Sequence, residues 1–269
     1  MVGSKSIANF DFYNSEMSKS MIDKIFFMDK IDDSIRVVVD YGCADGSLIH
    51  FLAPLFPEMI FVGYDLDETM VARAEAKNKA FPNCYAISDL AVLQSILKET
   101  HTIIEQCAVI LSSLIHEVYS YSNDVDGFWN TITTTGFKYI IIRDRCLDET
   151  AHRPALKEDL IKVKSRYSMD KIREFEHIHG SICDNYNLIH FLLKYRYHDN
   201  WDREVNENYV PCSVEEIARR LGQDYTLIYF DHYILPYLAA TVKKDFDVTL
   251  KDYTHIKFIY QLKFDKIEK

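Results

Sequence analysis

The chain has 269 residues, 48% apolar and 27% charged, with a formal net charge of −10. That length can bury a full α/β core, as one large domain or one domain carrying an insertion. The acidic balance disfavours unspecific binding to a phosphate backbone, and no run approaches the roughly 18 consecutive apolar residues of a membrane span.

Residues 15–31 place Met17, Met21, Ile25, Met28 and Ile31 at helical spacing behind Ser15 as an N-cap. Residues 1–35 therefore read as an N-terminal helical lid segment, with Tyr13 a candidate lid contact or simply a packed ring. Residues 36–40 read as a short strand around the apolar run Val37-Val38-Val39, the pattern of a parallel strand covered on both faces. A regular alternation follows: helix 47–55, strand 59–65, helix 67–80 capped by Asp67, strand 84–88, helix 89–99, strand 107–113, helix 122–135 and strand 137–143. Strands alternating with helices of this length imply βαβ units, a parallel sheet, and helices on both of its faces.

After Arg143 the pattern changes. Residues 145–211 are polar, rich in aromatics and mostly helical in period. A helix at 213–221 ends before Gly222, strands are expected at 225–231 and 254–263, and a turn with a short helix lies between them. The expected organisation is a core of 36–145 and 212–269, interrupted by a helical insertion at 146–211. The insertion is far longer than an ordinary connection of about 2–6 residues, so a substrate cover is expected.

Six scattered cysteines (Cys43, Cys84, Cys107, Cys146, Cys183 and Cys212) form no C-x-x-C pair. Neither a disulfide framework nor a structural zinc site is expected. With no apolar signal core at the N-terminus, a cytoplasmic location is the expectation.

The loop after the first strand reads Asp40-Tyr41-Gly42-Cys43-Ala44-Asp45-Gly46. Glycines there let backbone approach a ligand, and ligands of open parallel sheets sit beyond the carboxyl ends of the strands. The second strand ends in Gly63-Tyr64-Asp65, whose carboxylate suits ribose hydroxyls. The third ends in Ser88-Asp89-Leu90, where Asp89 meets an adenine amino group or caps the next helix. The spacing G-x-x-x-G differs from the G-x-G-x-x-G of nicotinamide-binding domains.

These residues, in this order and on these elements, resemble the class I S-adenosylmethionine-dependent methyltransferases. The resemblance covers about 36–145 well and the last two strands loosely. It implies a Rossmann-like three-layer sandwich with a seven-stranded, mostly parallel sheet whose last strand is antiparallel. It also implies S-adenosylmethionine as cofactor, with Gly42 and Gly46 against its methionine part, Asp65 on the ribose and Asp89 at the adenine. Asp40, Cys43, Ala44, Leu66, Leu90 and Ser112 complete the expected cofactor contacts. Ala44 stands where the family usually has its middle glycine.

The fourth strand runs into Ser112-Ser113-Leu114-Ile115-His116-Glu117, the loop that in this family lies beside the transferable methyl group. The (D/N)-P-P-(Y/F) motif of DNA amino-methyltransferases is missing. His116 is the candidate general base because its ordinary pKa lies near neutrality; otherwise it packs or hydrogen-bonds the loop. Glu117 would orient it or take its place. Residue 120 is Ser, so the pair is no H-E-x-x-H zinc motif. Arg143 could clamp an acidic substrate group, or lie in a buried ion pair with Asp144 or Glu117.

Within the insertion, Arg153, Lys157, Lys162, Lys164, Arg166, Lys171 and Arg173 could face RNA or form a solvated helix face. The segment Asp199-Asn200-Trp201-Asp202-Arg203-Glu204, with Glu207-Asn208-Tyr209, is rich in groups that read a polar ligand; Trp201 and Tyr209 could stack on a ring, or Trp201 could anchor the insertion. His190 and His198 read as structural. Glu174, Glu176, His177 and His179 are the one metal-like cluster, but His177 and His179 would not share a helix face, so no metal site is expected. The expected activity is methyl transfer to a small-molecule or nucleotide-like acceptor. The alternatives are an RNA methyltransferase docking through 153–173, and a non-catalytic protein that binds a cofactor or partner.

Overall fold

A computed structural model describes residues 20–263. In chain order the elements are α1 (Met21–Lys24), β1 (Val37–Tyr41), α2 (Ser47–Leu52), β2 (Ile60–Tyr64), α3 (Glu68–Asn78), β3 (Cys84–Ile87), α4 (Val92–Glu99) and β4 (Cys107–Ser112). They continue with α5 (Ile115–Tyr121), α6 (Val125–Thr134) and β5 (Tyr139–Arg145). Then come α7 (Lys157–Arg166), α8 (Met169–His179), α9 (Asn185–Lys194) and α10 (Trp201–Glu204). The chain closes with α11 (Val214–Leu221), β6 (Tyr225–Tyr233), α12 (Pro236–Phe246) and β7 (His255–Leu262).

The seven strands form one sheet of order β3-β2-β1-β4-β5-β7-β6. β1 to β5 pair in parallel, and β7 runs antiparallel to both β5 and β6. The sheet is apolar on both faces because successive side chains point to opposite sides. Val37 and Val39 of β1, Val109 and Leu111 of β4, and Ile140 and Ile142 of β5 pack on one face with Leu93, Ile96, Trp129, Ile132 and Ile217. Their neighbours Val38, Ala108, Ile110 and Ile141 pack on the other with Phe27, Leu48, Ile49 and Leu52. This is the expected three-layer sandwich with its reversed last strand.

Several local expectations are corrected. Of the helix expected over 15–31, only Met21–Lys24 is helical among the described residues; turns follow it. There Phe27 is fully buried under the sheet, with Met21, Ile25, Met28 and Ile31 packed around it. The apolar spacing therefore marks contacts of a folded-back turn rather than one long helix. Tyr13, Ser15 and Met17 lie outside the described residues. Residues 115–121, read as a loop, form α5. The next helix begins later, at Val125, where the Asp124 side chain accepts from Gly127 N at 2.7 Å. Gly222 closes α11 in the right-handed region, at φ −64°.

The insertion carries α7 to α10 and supplies most of a second hydrophobic core, including Val163, Ile172, Phe175, Phe191 and Trp201. Leu238, Val242 and Phe246 of α12 complete that core, so α12 packs with the insertion rather than under the sheet. Arg153 reinforces the join through two bonds to Asp252, at 2.9 and 2.8 Å, as does Tyr195 Oη by donating to Asp245 at 2.7 Å. Among the described residues no helix is long and apolar enough to cross a membrane.

Candidate active site

A cavity of about 710 Å³ opens at the carboxyl ends of β1, β2 and β4. Its floor is the turn after β1. Gly42 N and Cys43 N donate to Tyr64 O at 2.7 and 3.0 Å, tying this turn to the end of β2. Gly42 has φ +81°, a conformation that favours glycine, and a Cβ there would lie 2.6 Å from Leu114 Cδ1, so that side chain would have to move. Ala44 also takes the left-handed region, at φ +48°, which explains why a glycine suits this position. Its amide donates to Asp65 Oδ2 at 2.9 Å, while Asp67 N donates to Asp65 Oδ1 at 3.0 Å. Asp65 thus clips the first loop to the second and faces the cavity. Asp67 caps α3 by accepting from Thr69 N at 2.8 Å.

The cavity wall carries six carboxylates (Asp40, Asp45, Asp65, Asp67, Glu117 and Asp124) and one cationic side chain, Lys24. Such a wall favours a ligand with positive charge. Burial pushes the Asp40 carboxyl up to about 7, against the pull of Lys24. Burial also brings the Lys24 ammonium down to about 8, with Arg143 adding to the effect and Asp40 opposing it. The Ser112 hydroxyl lines the cavity, and its oxygen is buried without a hydrogen-bond partner among the described residues. Tyr41, Tyr64 and Phe128 supply aromatic surface, with Tyr41 4.5 Å from Tyr64 and 5.8 Å from Phe128 between ring centres.

Of the residues singled out in the sequence, Asp40, Gly42, Cys43, Ala44, Asp65, Leu66, Ser112 and Glu117 line this cavity. Gly46, Asp89, Leu90, His116 and Arg143 do not. At Gly46 (φ +71°) a Cβ would lie 2.8 Å from Ala74 Cβ, so this glycine serves the packing of α2 on α3. Asp89 is exposed and accepts from Ala91 N at 2.9 Å, shaping the turn into α4. Arg143 is buried, but its partners are Asp23 at 2.9 Å and Ser113 Oγ at 3.0 Å, not the expected Asp144 or Glu117. Asp23 also meets Lys257 at 2.5 Å and Tyr233 Oη at 2.6 Å. Burial alone would raise the Asp23 carboxyl, but Arg143, Lys257 and Tyr233 outweigh it and hold it low.

His116 lies behind the cavity wall, 3% exposed, against a second cavity of about 20 Å³. Ser113 and Glu117 line both cavities. His116 Nδ1 is 2.6 Å from Asp144 Oδ1, and Asp144 Oδ2 accepts from Ile115 N at 2.8 Å. Arg145 meets His116 Nε2, and its guanidinium stacks 3.8 Å from the Tyr209 ring centre. Arg203 donates to Glu117 at 3.0 Å and to Glu204 at 3.3 Å. Burial would raise the Asp144 carboxyl, but His116 and Arg145 hold it low. Burial raises Glu207 to about 7 despite the opposing pull of His116. Lys194 donates to the carbonyls of Glu204 and Glu207 at 3.0 and 2.6 Å, and burial lowers it to about 7.

The insertion's aromatics are structural. Trp201 is 5% exposed and donates to Glu174 at 2.6 Å, and Tyr209 is 1% exposed; neither offers a ring for stacking a ligand. Several cations of segment 153–173 are engaged within the chain: Arg153 with Asp252, Lys162 with Asp247 at 3.0 Å, and Arg173 with Asp170 at 3.3 Å. The cluster Glu174, Glu176, His177 and His179 does not converge. Glu176 accepts from Ile182 N at 3.0 Å, and His179 Nε2 meets Val205 O at 2.7 Å. His190 accepts from Tyr209 N at 3.2 Å and His198 meets Tyr167 Oη at 3.3 Å, both in structural roles. Sequence reasoning missed Lys24, Tyr41, Tyr64 and Phe128 in the large cavity; behind it, Arg203 and Glu207 were marked only as part of a polar segment, and Arg145 was not placed against His116. Tyr41 and Tyr64 stand at the strand ends already marked by Asp40 and Asp65; Lys24 and Phe128 carried no local signal.

No family model matches the sequence, and no curated protein does. The fold is similar to the crystal structure of magnesium protoporphyrin IX methyltransferase from Synechocystis PCC 6803 with bound SAH. That likeness has 13% identity and a TM-score of 0.50, and covers 97% of this chain and 90% of that one. Two further matches are the methyltransferase domain of bacterial CtHen1 and the plantazolicin methyltransferase BamL in complex with SAH. The first has 11% identity, a TM-score of 0.49 and coverage of 93% and 98%. The second has 14% identity, a TM-score of 0.47 and coverage of 94% and 89%. With its strand order, its reversed β7 and the first of these likenesses, the chain has the fold of the class I S-adenosylmethionine-dependent methyltransferases.

Proposed function

We infer that the large cavity binds S-adenosylmethionine, and that the chain transfers its methyl group to a small-molecule or nucleotide-like acceptor. The observation that carries this reading is the convergence, at one anionic cavity, of the Gly42 turn, the Asp65 clip and the Ser112 hydroxyl. A ligand with a sulfonium and an ammonium group matches a wall whose carboxylates still outnumber its cations after Lys77 pairs with Asp45 and Arg203 with Glu117. When bound, the cofactor supplies the activated methyl carbon, and the protein's tasks are alignment and exclusion of water.

Those tasks fall to identifiable groups. The bare Gly42 backbone admits the methionine part. Each Asp65 oxygen already accepts one backbone N–H and keeps a second lone pair for a ribose hydroxyl. Tyr41, Tyr64 and Phe128 offer apolar surface to the adenine, a role that Asp89 and Leu90 are poorly placed to share. Lys24 and Asp40 would hold the amino-acid end. Glu117 is the carboxylate placed to take a proton from the acceptor, because it faces the cavity while Arg203 holds it. His116 does not face the cavity, so any influence on the reaction runs through its neighbours and makes it a positioning residue.

Calorimetric titration of the full chain with S-adenosylmethionine and with S-adenosylhomocysteine tests the reading. Saturation at one ligand per chain is expected; failure of both to bind would overturn it. Mass spectrometry of small molecules that co-purify with the chain is the route to the acceptor.

A further inference from the structure

We propose that His116, Glu117 and Glu207 form a binding site for one divalent transition-metal ion, in the small cavity between α5 and the insertion. The cavity, about 20 Å³, has room for a single ion or water. One ligand atom from each of the three residues lies within 4.8 Å of the others. A small contraction would let them share one ion at bond lengths of about 2.0–2.2 Å.

On its Nδ1 side His116 is hydrogen-bonded as metal-ligating histidines are, and at Nε2 the ion would take the place of the Arg145 guanidinium. Its Nδ1 lies 2.6 Å from Asp144 Oδ1, and both groups are buried. The Asp144 carboxylate accepts and the Arg145 guanidinium only donates, so Nδ1 carries the proton and Nε2 holds the lone pair, directed at Arg145. A carboxylate behind a histidine in this way orients metal-bound imidazoles and raises their basicity.

A second and independent observation concerns Glu207. It is 1% exposed, and its Oε1 is buried without a hydrogen-bond partner among the described residues. That oxygen lies 3.2 Å from His116 Nε2. Two acceptors facing each other in a buried site repel unless a cation or proton sits between them. Arg145 reaches Nε2, and Arg203 lies 3.7 Å from the other Glu207 oxygen, yet neither satisfies Oε1. Glu117, Glu204 and Glu207 line the cavity against Arg145 and Arg203, so the carboxylates outnumber the guanidiniums by one.

One imidazole and two carboxylates, with no thiolate, suit Mn²⁺, Fe²⁺ or Zn²⁺ better than copper(I), and the imidazole argues against Mg²⁺ or Ca²⁺. His116 and Glu117 come from α5 and Glu207 from the insertion, so the ion would clamp the insertion to the sheet edge. The proposal does not depend on the cofactor reading.

The test is a titration of the chelator-treated full chain with Mn²⁺, followed by electron paramagnetic resonance, with Zn²⁺ as competitor. One saturable Mn²⁺ per chain is expected, displaced by Zn²⁺. Glu207→Gln, which keeps the side-chain volume, should weaken binding at least about tenfold, and Asp144→Asn by about 10–100-fold. No saturable site in the wild-type chain would overturn the proposal whether or not the variants fold, and would leave Arg145 as the resident cation. Unchanged affinity in folded Glu207→Gln would overturn it too. S-adenosylhomocysteine titrated in parallel separates the two readings: metal binding without nucleoside binding sinks only the cofactor assignment, and the converse sinks only the metal site.

Discussion

The two cavities of this protein share Ser113 and Glu117 but are built in opposite ways. The large one is made by loops that follow successive strands. Its key contacts are to backbone: Gly42 N and Cys43 N to Tyr64 O, and Ala44 N to Asp65. The small one is made by charged side chains brought together from distant parts of the chain, such as Glu117 and Arg203, which are 86 residues apart. A backbone-built loop site tolerates the loss of one side chain because the strands hold its shape. A buried charge cluster does not, because each charge removed from water depends on its partner.

The largest effect should therefore come from the small cavity. Asp144→Ala strips His116 and Arg145 of their buried carboxylate and leaves Ile115 N unpaired. It should destabilise the fold by about 3–5 kcal/mol, measured by chemical denaturation; a loss comparable to that of an exposed ion pair would break the contrast. In the large cavity, Asp65→Ala should weaken S-adenosylmethionine binding by about 1–2 kcal/mol or more, measured by calorimetry. If affinity held, Asp65 would serve only to clip the loops together.

The pH dependence sharpens the comparison further. Burial raises the Asp40 carboxyl from 3.8 to about 7, so the folded state holds this proton more tightly than the unfolded chain. Its stabilising contribution is complete below the unfolded pKa and is lost as pH rises towards about 7. Asp144 and Asp23 are shifted the other way, so their contributions are present above the unfolded pKa and fall away in acid. Asp40→Asn should flatten the decline between pH 4 and 7, read from urea midpoints across that range; an unchanged slope would show that Asp40 is not the group responsible. The smallest effect is expected from Ala44→Gly. It relieves a left-handed alanine costing about 1–2 kcal/mol, less the roughly 0.5–1 kcal/mol of extra glycine entropy. A rise in stability of about 1 kcal/mol or less should appear in thermal unfolding, with cofactor affinity unchanged.

Most of the sheet was legible in the sequence because strand patterns are local. β1, β2, β3 and β4 lie within a residue or two of their expected bounds. β5 runs on to Arg145, where a strand end was expected at 143, because Arg143, Asp144 and Arg145 continue the antiparallel ladder with Lys257, Ile256 and His255 of β7. No property of those three residues announces that a distant strand supplies their hydrogen bonds. Likewise Ile115–Tyr121 reads as a polar loop until Asp144 accepts from the first amide of the helix. In the candidate site, Asp40 and Asp65 on the tips of β1 and β2 line the cavity as expected, whereas the partners of Arg145, Arg203 and Glu207 were not foreseen, since those partners lie far along the chain.

The reversed last strand was implied only by the family resemblance; what the sequence alone determined is the βαβ alternation, the glycine turn after β1 and the acidic tip of β2. These depend on periodicity, φ angles and turn chemistry within a few residues. What only the tertiary structure decided is that Arg143 is spent on Asp23, that Gly46 serves helix packing, and that His116 faces the insertion instead of the large cavity. Those outcomes are settled by burial, which makes a charge find whichever partner the fold brings within reach.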